Sequence, residues 1–310
     1  MQLSADSTMP ADKNSLTSSL TAKEKFFHAF KLSKFDVAKL LLLYIVLSPS
    51  IGMVVYKHLL FVPFSNAPDM KAIYAKIEAS TKSKKIDVTI PSGTQKLNGM
   101  LWKKTGASKI FIVNHGNGGD IANRVLLLAP LLYSNGSVLL YDYEGYGKST
   151  GEPSVKAVKQ DGLAAYDYVH NVLQYEPENI VLYGESLGSG VATYIAQNRK
   201  AAAIVIQSGF SSLSDAAKDR LVWLKLYPSF CFNGVEMDNV AYLHGPHPPL
   251  LIMHGDADVV LPIKHAYKSF AGASEPKKFV KFDGSGHNDI CLSAAFQPCI
   301  AQFMNSLPKN

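Results

Sequence analysis

Cysteine is scarce in this chain: Cys231, Cys291 and Cys299 are the only three, and none falls in C-x-x-C or Cys/His zinc spacing. An odd number cannot all pair within the chain, so no disulfide framework and no structural zinc site is implied, and the redox compartment stays open. Excess positive charge is missing where a nucleic-acid face would need it. Residues 1–85 hold 12 Lys against 6 Asp and Glu, whereas residues 86–310 hold 19 Lys and Arg against 19 Asp and Glu, so the whole net charge of +6 lies in the first segment. A neutral folded domain excludes nucleic acid as a partner. No internal repeat is present. What is abundant is apolar character, 47% of 310 residues, enough for one large core with an N-terminal extension.

The extension divides by composition. Residues 1–36 form a basic tail, disordered where Ser, Thr, Ala and Lys dominate. Residues 37–64 are expected to be a membrane anchor helix, because 40–56 run seventeen residues without a charge before Lys57, His58 and a further apolar group. The competing reading is a buried core helix, since Ser48-Pro49-Ser50 interrupts the run and Pro kinks a helix. A cleavable signal peptide is not expected, as more than thirty residues precede the apolar run. Lys23, Lys25, Lys31, Lys34 and Lys39 outnumber Lys57, Lys71 and Lys76 across the span, which puts the N-terminus in the cytoplasm and the rest of the chain on the far side. An interfacial helix bent at Pro49 would instead leave the chain on the cytoplasmic face. Residues 65–85 read as a linker.

From residue 86 the pattern is a hairpin (86–90 and 97–102 around Pro91-Ser92-Gly93), followed by alternating strands and helices. Strands are expected at 110–114, 138–142, 180–183, 203–207, 250–254 and 279–283, and helices at 122–133, 155–173, 187–197 and 263–271. Most of the strands are short apolar runs without alternation, the signature of a mostly parallel sheet covered on both faces. One long connection, 208–249, is large enough for a small cap over a site.

The chemistry centres on residues 179–190, N-I-V-L-Y-G-E-S-L-G-S-G. Here a buried strand, a sharp turn bearing Ser186 and the first turn of a helix form a nucleophile elbow, with Gly184 and Gly188 leaving room for the turn to close. The backbone N–H of Leu187, at the helix N-terminus, is a candidate oxyanion donor. Taken alone, G-x-S-x-G arises by chance in roughly one chain of this length in ten. The strand before it and the helix after it give it weight. A serine hydroxyl needs a histidine to take its proton and a carboxylate to hold that histidine's tautomer. His287, in D-G-S-G-H-N-D after the last strand, is the candidate base, against the plainer reading of a surface loop histidine. The loop H-G-D-A-D after the preceding strand offers both Asp256 and Asp258 as the acid, and either could be a turn former. In His115-Gly116-Asn117-Gly118-Gly119 the backbone N–H of Asn117 is a candidate second oxyanion donor, against a plain Gly-rich turn. The stretch 142–153, D-Y-E-G-Y-G-K-S-T-G-E-P, reads as a structural loop whose glycines shape the pocket rim.

Together, H-G-N-G-G, D-Y-E-G-Y-G-K-S-x-G-E-P, G-E-S-L-G, H-G-D-A-D-V-V-L-P and G-S-G-H-N-D resemble the α/β-hydrolase superfamily over residues 86–307. The segment S-G-F-S-S-L-S-D-A-A-K and the apolar N-terminus make the chain similar to small membrane-anchored serine hydrolases related to acyl-protein thioesterases. The resemblance implies an α/β-hydrolase catalytic domain over 86–310 with a small cap at 208–249. It implies nucleophile Ser186, base His287, acid Asp258 and oxyanion donors Asn117 and Leu187, with no organic cofactor and no metal. The implied substrate is a small or lipid-like acyl ester or thioester. Two departures stand out. Glu144 occupies a position where such proteins usually carry Arg, which bears on the pocket rim, and no N-terminal cysteine cluster implies depalmitoylation. A peptidase or amidase of the same fold and a catalytically silent membrane-tethered binding module are the competing functions. A haloalkane dehalogenase is excluded, since it would need a carboxylate where Ser186 stands.

Overall fold

The computed structural model describes residues 33–64, 69–232 and 237–308, so the basic tail lies almost wholly outside the described residues. The chain divides into two units, Met1–Leu47 and Ser48–Asn310. In the first, helix α1 (Lys34–Val46) starts at a capping box: Ser33 Oγ accepts from the Asp36 N–H at 3.1 Å, and Asp36 Oδ2 accepts from the Ser33 N–H at 3.2 Å. None of its residues is buried.

The second unit opens with helix α2 (Pro49–Leu60), which has Pro49 at its first position. Proline supplies no N–H to a preceding turn and disfavours helical angles at the residue before it, so the apolar run breaks there. The single helix expected over 37–64 is therefore two helices. Among the described residues no single helix is long and apolar enough to cross a membrane. Pro49, Gly52, Met53, Tyr56 and Leu60 form the buried stripe of α2, while Ile51, Val54, Val55 and Leu59 stay exposed. Gly52 permits this packing, because a Cβ there would sit 2.6 Å from Leu224 Cδ2. The expected linker also has structure: helix α3 (Lys71–Thr81) fills its second half, with Ile77 buried in the same cluster as Trp102.

Eight strands follow: β1 (Ser83–Ser92), β2 (Gln95–Lys104), β3 (Lys109–Asn114), β4 (Gly136–Tyr141), β5 (Ile180–Glu185), β6 (Ala203–Gln207), β7 (Leu250–Gly255) and β8 (Lys277–Phe282). They form one sheet in the order β1-β2-β4-β3-β5-β6-β7-β8, antiparallel at β1/β2 and β2/β4 and parallel elsewhere. The helices between them are α4 (Val125–Tyr133), α5 (Val155–Asp167), α6 (Leu187–Asn198), α7 (Leu213–Arg220), α8 (Asn239–Leu243) and α9 (Lys264–Gly272), and α10 (Phe296–Ser306) follows the last strand. Both faces are covered. Ile110, Ile112 and Leu182 pack with Met53 of α2, Val158 of α5 and Val191 of α6, whereas Phe111, Val113 and Val181 pack with Leu131 of α4 and Phe303 of α10. Alternate residues of the central strands β3 to β7 thus meet different but equally apolar layers, which is why those strands read as unbroken apolar runs.

The pairing of Asn114 with Gly184, Glu185 with Gln207, Gln207 with Met253 and Gly255 with Phe282 brings the carboxyl ends of β3, β5, β6, β7 and β8 level. The loops leaving those ends share one edge of the sheet. The expected cap holds α7, two 3₁₀ turns (Val222–Leu226 and Ser229–Phe232) and α8, with residues 233–236 outside the described residues.

Candidate active site

Ser186 stands between β5 and α6 at φ 52° and ψ −112°, a conformation that a non-glycine residue holds only when its surroundings enforce it. The enforcement is steric and polar. A Cβ at Gly188 would come within 1.9 Å of Asn114 O, and one at Gly184 within 2.5 Å of Gly188 O, so backbone packs directly on backbone around the turn. The Ser186 N–H is held by Gln207 O at 2.9 Å.

Three loops converge on this hydroxyl. His287, in the loop after β8, places Nε2 2.9 Å from Ser186 Oγ and Nδ1 2.7 Å from Asp258 Oδ2. Its own carbonyl accepts from Ser208 Oγ at 3.0 Å, which ties the loop to the end of β6. Asp258, after β7, is 5% exposed, and its Oδ1 accepts from the N–H groups of Val260 and Leu261, each at 2.9 Å. His254 Nε2 lies 2.8 Å from Leu261 O and 3.2 Å from Asp258 Oδ2, and since a carbonyl only accepts, Nε2 carries the hydrogen and shares it with the carboxylate. Burial works to raise the pKa of Asp258. The hydrogen bonds from His254 and His287, the His287 charge and the Leu261 N–H outweigh it and hold the carboxyl well below the usual range. An ionised Asp258 accepts from His287 Nδ1–H, which leaves Nε2 as the acceptor for the Ser186 hydroxyl proton.

The sequence left Asp256 and Asp258 open, and the structure separates them. Asp256 bonds the Gly284 N–H at 2.7 Å and lies 3.4 Å from Lys281 Nζ, so it pins the turn after β8 and does not meet His287.

Opposite the histidine runs the loop after β3. A Cβ on Gly116 would lie 3.5 Å from Ser186 Cβ, so the chain passes close beside the hydroxyl. His115 Nδ1 lies 2.7 Å from Gly116 O and must donate to it. Burial and then the Arg124 charge depress the pKa of His115 to about 3, so the ring is neutral with its hydrogen on Nδ1. Turning the Gly116 carbonyl toward His115 turns the N–H of the same trans peptide, that of Asn117, the opposite way. Asn117 lines the cavities that hold Ser186. Its carbonyl accepts from Tyr146 Oη at 2.8 Å and the Val62 N–H at 3.1 Å, while Tyr143 Oη donates to His115 O at 3.0 Å. Leu187 is the first residue of α6, and a helix offers no intrahelical partner to its first N–H.

Several of these residues carried no signal that sequence reasoning used. The 142–153 loop holds the backbone of the loop after β3 through its tyrosines. Glu144 lines neither cavity that contains Ser186 and instead lines a separate one together with Gln95, Asp167 and Arg199. Glu185 and Arg124 approach to 2.6 Å beside Ser186, close but out of line for a hydrogen bond, and Arg124 Nη2 donates to Gly118 O at 2.8 Å. Cys291 lines the same cavity, but burial pushes its thiol up to about 11, so it is no thiolate nucleophile. Among the described residues no group of three or more His, Cys, Asp or Glu is placed to hold a metal ion.

This arrangement has counterparts. A family model described as the alpha/beta hydrolase fold matches residues 109–231. An uncharacterised protein of Mycobacterium tuberculosis is 34% identical over 184 residues, covering 59% of this chain and 64% of its own length, so the chain spans less than two thirds of that relative. Human alpha/beta hydrolase domain-containing protein 17B is 27% identical over 200 residues, covering 64% of this chain and 67% of its own. Among solved structures, an esterase of Pyrococcus furiosus superposes with a TM-score of 0.64 at 15% identity, covering 80% of this chain and 98% of that one. With the strand order, the strained serine turn and these likenesses in agreement, the chain has the α/β-hydrolase fold.

Proposed function

We propose that the chain is a serine hydrolase that cleaves carboxylic ester or thioester bonds through an acyl-enzyme. The observation that carries this reading is the hydrogen-bonded series Asp258, His287, Ser186 ending on a serine at positive φ. In the first step Ser186 Oγ bonds to the substrate carbonyl carbon as its proton passes to His287 Nε2, and Asp258 offsets the imidazolium charge. The N–H groups of Leu187 and Asn117 receive the developing oxyanion. The C–O or C–S bond then breaks and the proton moves from Nε2 to the leaving atom. Water repeats the sequence in reverse, giving its proton to His287, and Oγ takes that proton back as the acid departs. Ser186→Ala is expected to abolish fluorophosphonate labelling and to lower ester turnover by several orders of magnitude. Labelling of the variant at the wild-type rate would refute this reading.

The same proposal places the chain at a membrane through its N-terminal helices. Leu40, Leu41, Leu42, Leu43, Ile45 and Val46 of α1 are all exposed, so their apolar surface is available to lipid. Thirteen residues rise only ~20 Å against a hydrocarbon core of ~30 Å, which favours attachment in the interface over a single span. The catalytic unit then stays on the side of the N-terminus. Protease added to intact cells should leave it uncut until the membrane is permeabilised, and cleavage in intact cells would restore the spanning topology.

A further inference from the structure

Two cavities open on Ser186, and they differ in the charged and titratable residues that line them. One, of about 420 Å³, is lined by His287, Asn288, Gln207 and the Arg124–Glu185 pair together with the apolar Leu126 and Leu127. The other, of about 340 Å³, is lined by Tyr56, Leu59 and Leu60 of α2 and by Phe210 and Ala216 of the chain after β6. Arg220, which is solvent-exposed, is the single charged residue among the described residues lining this second cavity, and His287 lines only the first.

The position of His287 orients the substrate. In acyl transfer the proton taken from Ser186 must be delivered from His287 Nε2 to the leaving atom, so the leaving group has to lie within hydrogen-bond reach of that nitrogen. The acyl substituent, on the other side of the carbonyl carbon, is then directed away from His287. That direction is the cavity against α2, whose side chains remove methylene groups from water.

Helix α2 is held firmly enough to serve as a wall. Its buried residues Met53, Tyr56 and Leu60 belong to the main core cluster, and Gly52 lies against the fully buried Leu224. Just after the helix, the Val62 N–H donates to Asn117 O at 3.1 Å and the Val62 carbonyl accepts from the Gly119 N–H at 3.4 Å. The chain that leaves α2 is thus stitched to the loop that carries the oxyanion donor.

We infer that α2, which precedes the matched family core, forms the wall of an acyl-chain site, so that the enzyme takes an ester or thioester with an aliphatic acyl chain, and α2 sets the chain length. This rests on the serine-hydrolase reading above. The test is the kcat/KM of the purified full-length chain on p-nitrophenyl esters graded from acetyl to palmitoyl, with fluorophosphonate labelling run in parallel. Leu60→Trp, which narrows the cavity, should lower the ratio of long-chain to acetyl turnover by ~10-fold or more, and Leu60→Ala should raise it. Because Leu60 is a core residue, Leu59→Trp on the exposed flank repeats the narrowing with little burden on folding. Leu126→Trp, in the His287 cavity, should leave the chain-length ratio alone and change the response to leaving-group size. Variants of Leu59 and Leu60 that still label but keep the wild-type ratio, or a ratio shifted by Leu126→Trp instead, would overturn the inference. A wild-type chain that neither labels nor hydrolyses any of these esters would sink the serine-hydrolase reading itself.

Discussion

Asp258 and Asp256 are two residues apart, of the same type, in the same loop, yet only Asp258 accepts from His287, at 2.7 Å. Asn in place of Asp258 presents an amide that can hold His287 in the wrong tautomer, with its hydrogen on Nε2 and none of its lone pair facing Ser186. Asp258→Asn is therefore expected to lower kcat by ~10³–10⁴-fold. Asp256→Asn should cost less than ~10-fold, because its partners are Gly284 and Lys281 on an exposed turn. Comparable kcat values in the two variants would show that the hydrogen-bonded series is not the working one. His115 makes a subtler case. It is too deeply buried to meet a substrate, but its Nδ1–H fixes the Gly116 carbonyl and so the direction of the Asn117 N–H. His115→Phe keeps a ring and removes that donor. A fall in kcat of ~10–100-fold with KM within about twofold is expected, as for a donor that acts on the transition state alone. A rise in KM at constant kcat would instead place His115 in substrate binding.

At the level of elements, the elbow depends on glycine at one crossing. A methyl at Gly188 would drive β3 and α6 apart through Asn114 O, so Gly188→Ala should lose both labelling and thermal stability. Gly52→Val tests the other packed helix. Its side chain meets the fully buried Leu224, and overpacking of this kind costs about 1–3 kcal/mol. A drop in the urea midpoint is the expected result, and an unchanged midpoint would mean that α2 is not anchored on the 222–226 segment.

The same two elements show what could be read in advance. The elbow was legible because Gly184, Ser186 and Gly188 sit where strand meets helix, the first two strands were legible as a hairpin around Pro91-Ser92-Gly93, and most of the others as short apolar runs between turn residues. The burial of α2 was not. Its inward stripe of Gly52, Met53, Tyr56 and Leu60 has helical spacing, but Ile51, Val54, Val55 and Leu59 between them are just as apolar, so no contrast marks a face and lipid and protein core look alike. Pro49 was the one visible sign that the run would break. Tyr143 and Tyr146 were hidden for another reason. Their contacts with His115 O and Asn117 O span 28 and 29 residues, and a loop has no periodicity from which such a partner can be inferred.

Over the whole molecule, the balance between burial and hydrogen bonding at buried carboxylates gives stability a pH dependence of both signs. Asp258 has a depressed folded pKa, so its contribution is present above the unfolded carboxylate range and is lost as the pH falls below it. Asp161 is the reverse. It is fully buried beneath the 142–153 loop, accepting from Ser92 Oγ at 2.7 Å and the Glu144 N–H at 2.8 Å. Desolvation outweighs those two bonds, and its pKa rises from 3.8 to about 6. A folded state that holds the proton more tightly than the unfolded chain is favoured at low pH, and it loses that advantage as the pH climbs from about 4 through about 6. The loss is about 3 kcal/mol for a shift of two units, an upper figure for a loop that can relax. Asp161→Asn has no proton to lose. Whatever constant offset its altered hydrogen bonds introduce, the stability of the variant minus that of the wild type should rise between pH 4 and pH 7 by up to about 3 kcal/mol. Urea unfolding of both proteins at half-unit pH intervals measures this difference. A difference that stays flat across the interval would mean that Asp161 is ionised throughout, with solvent reaching it beneath the loop.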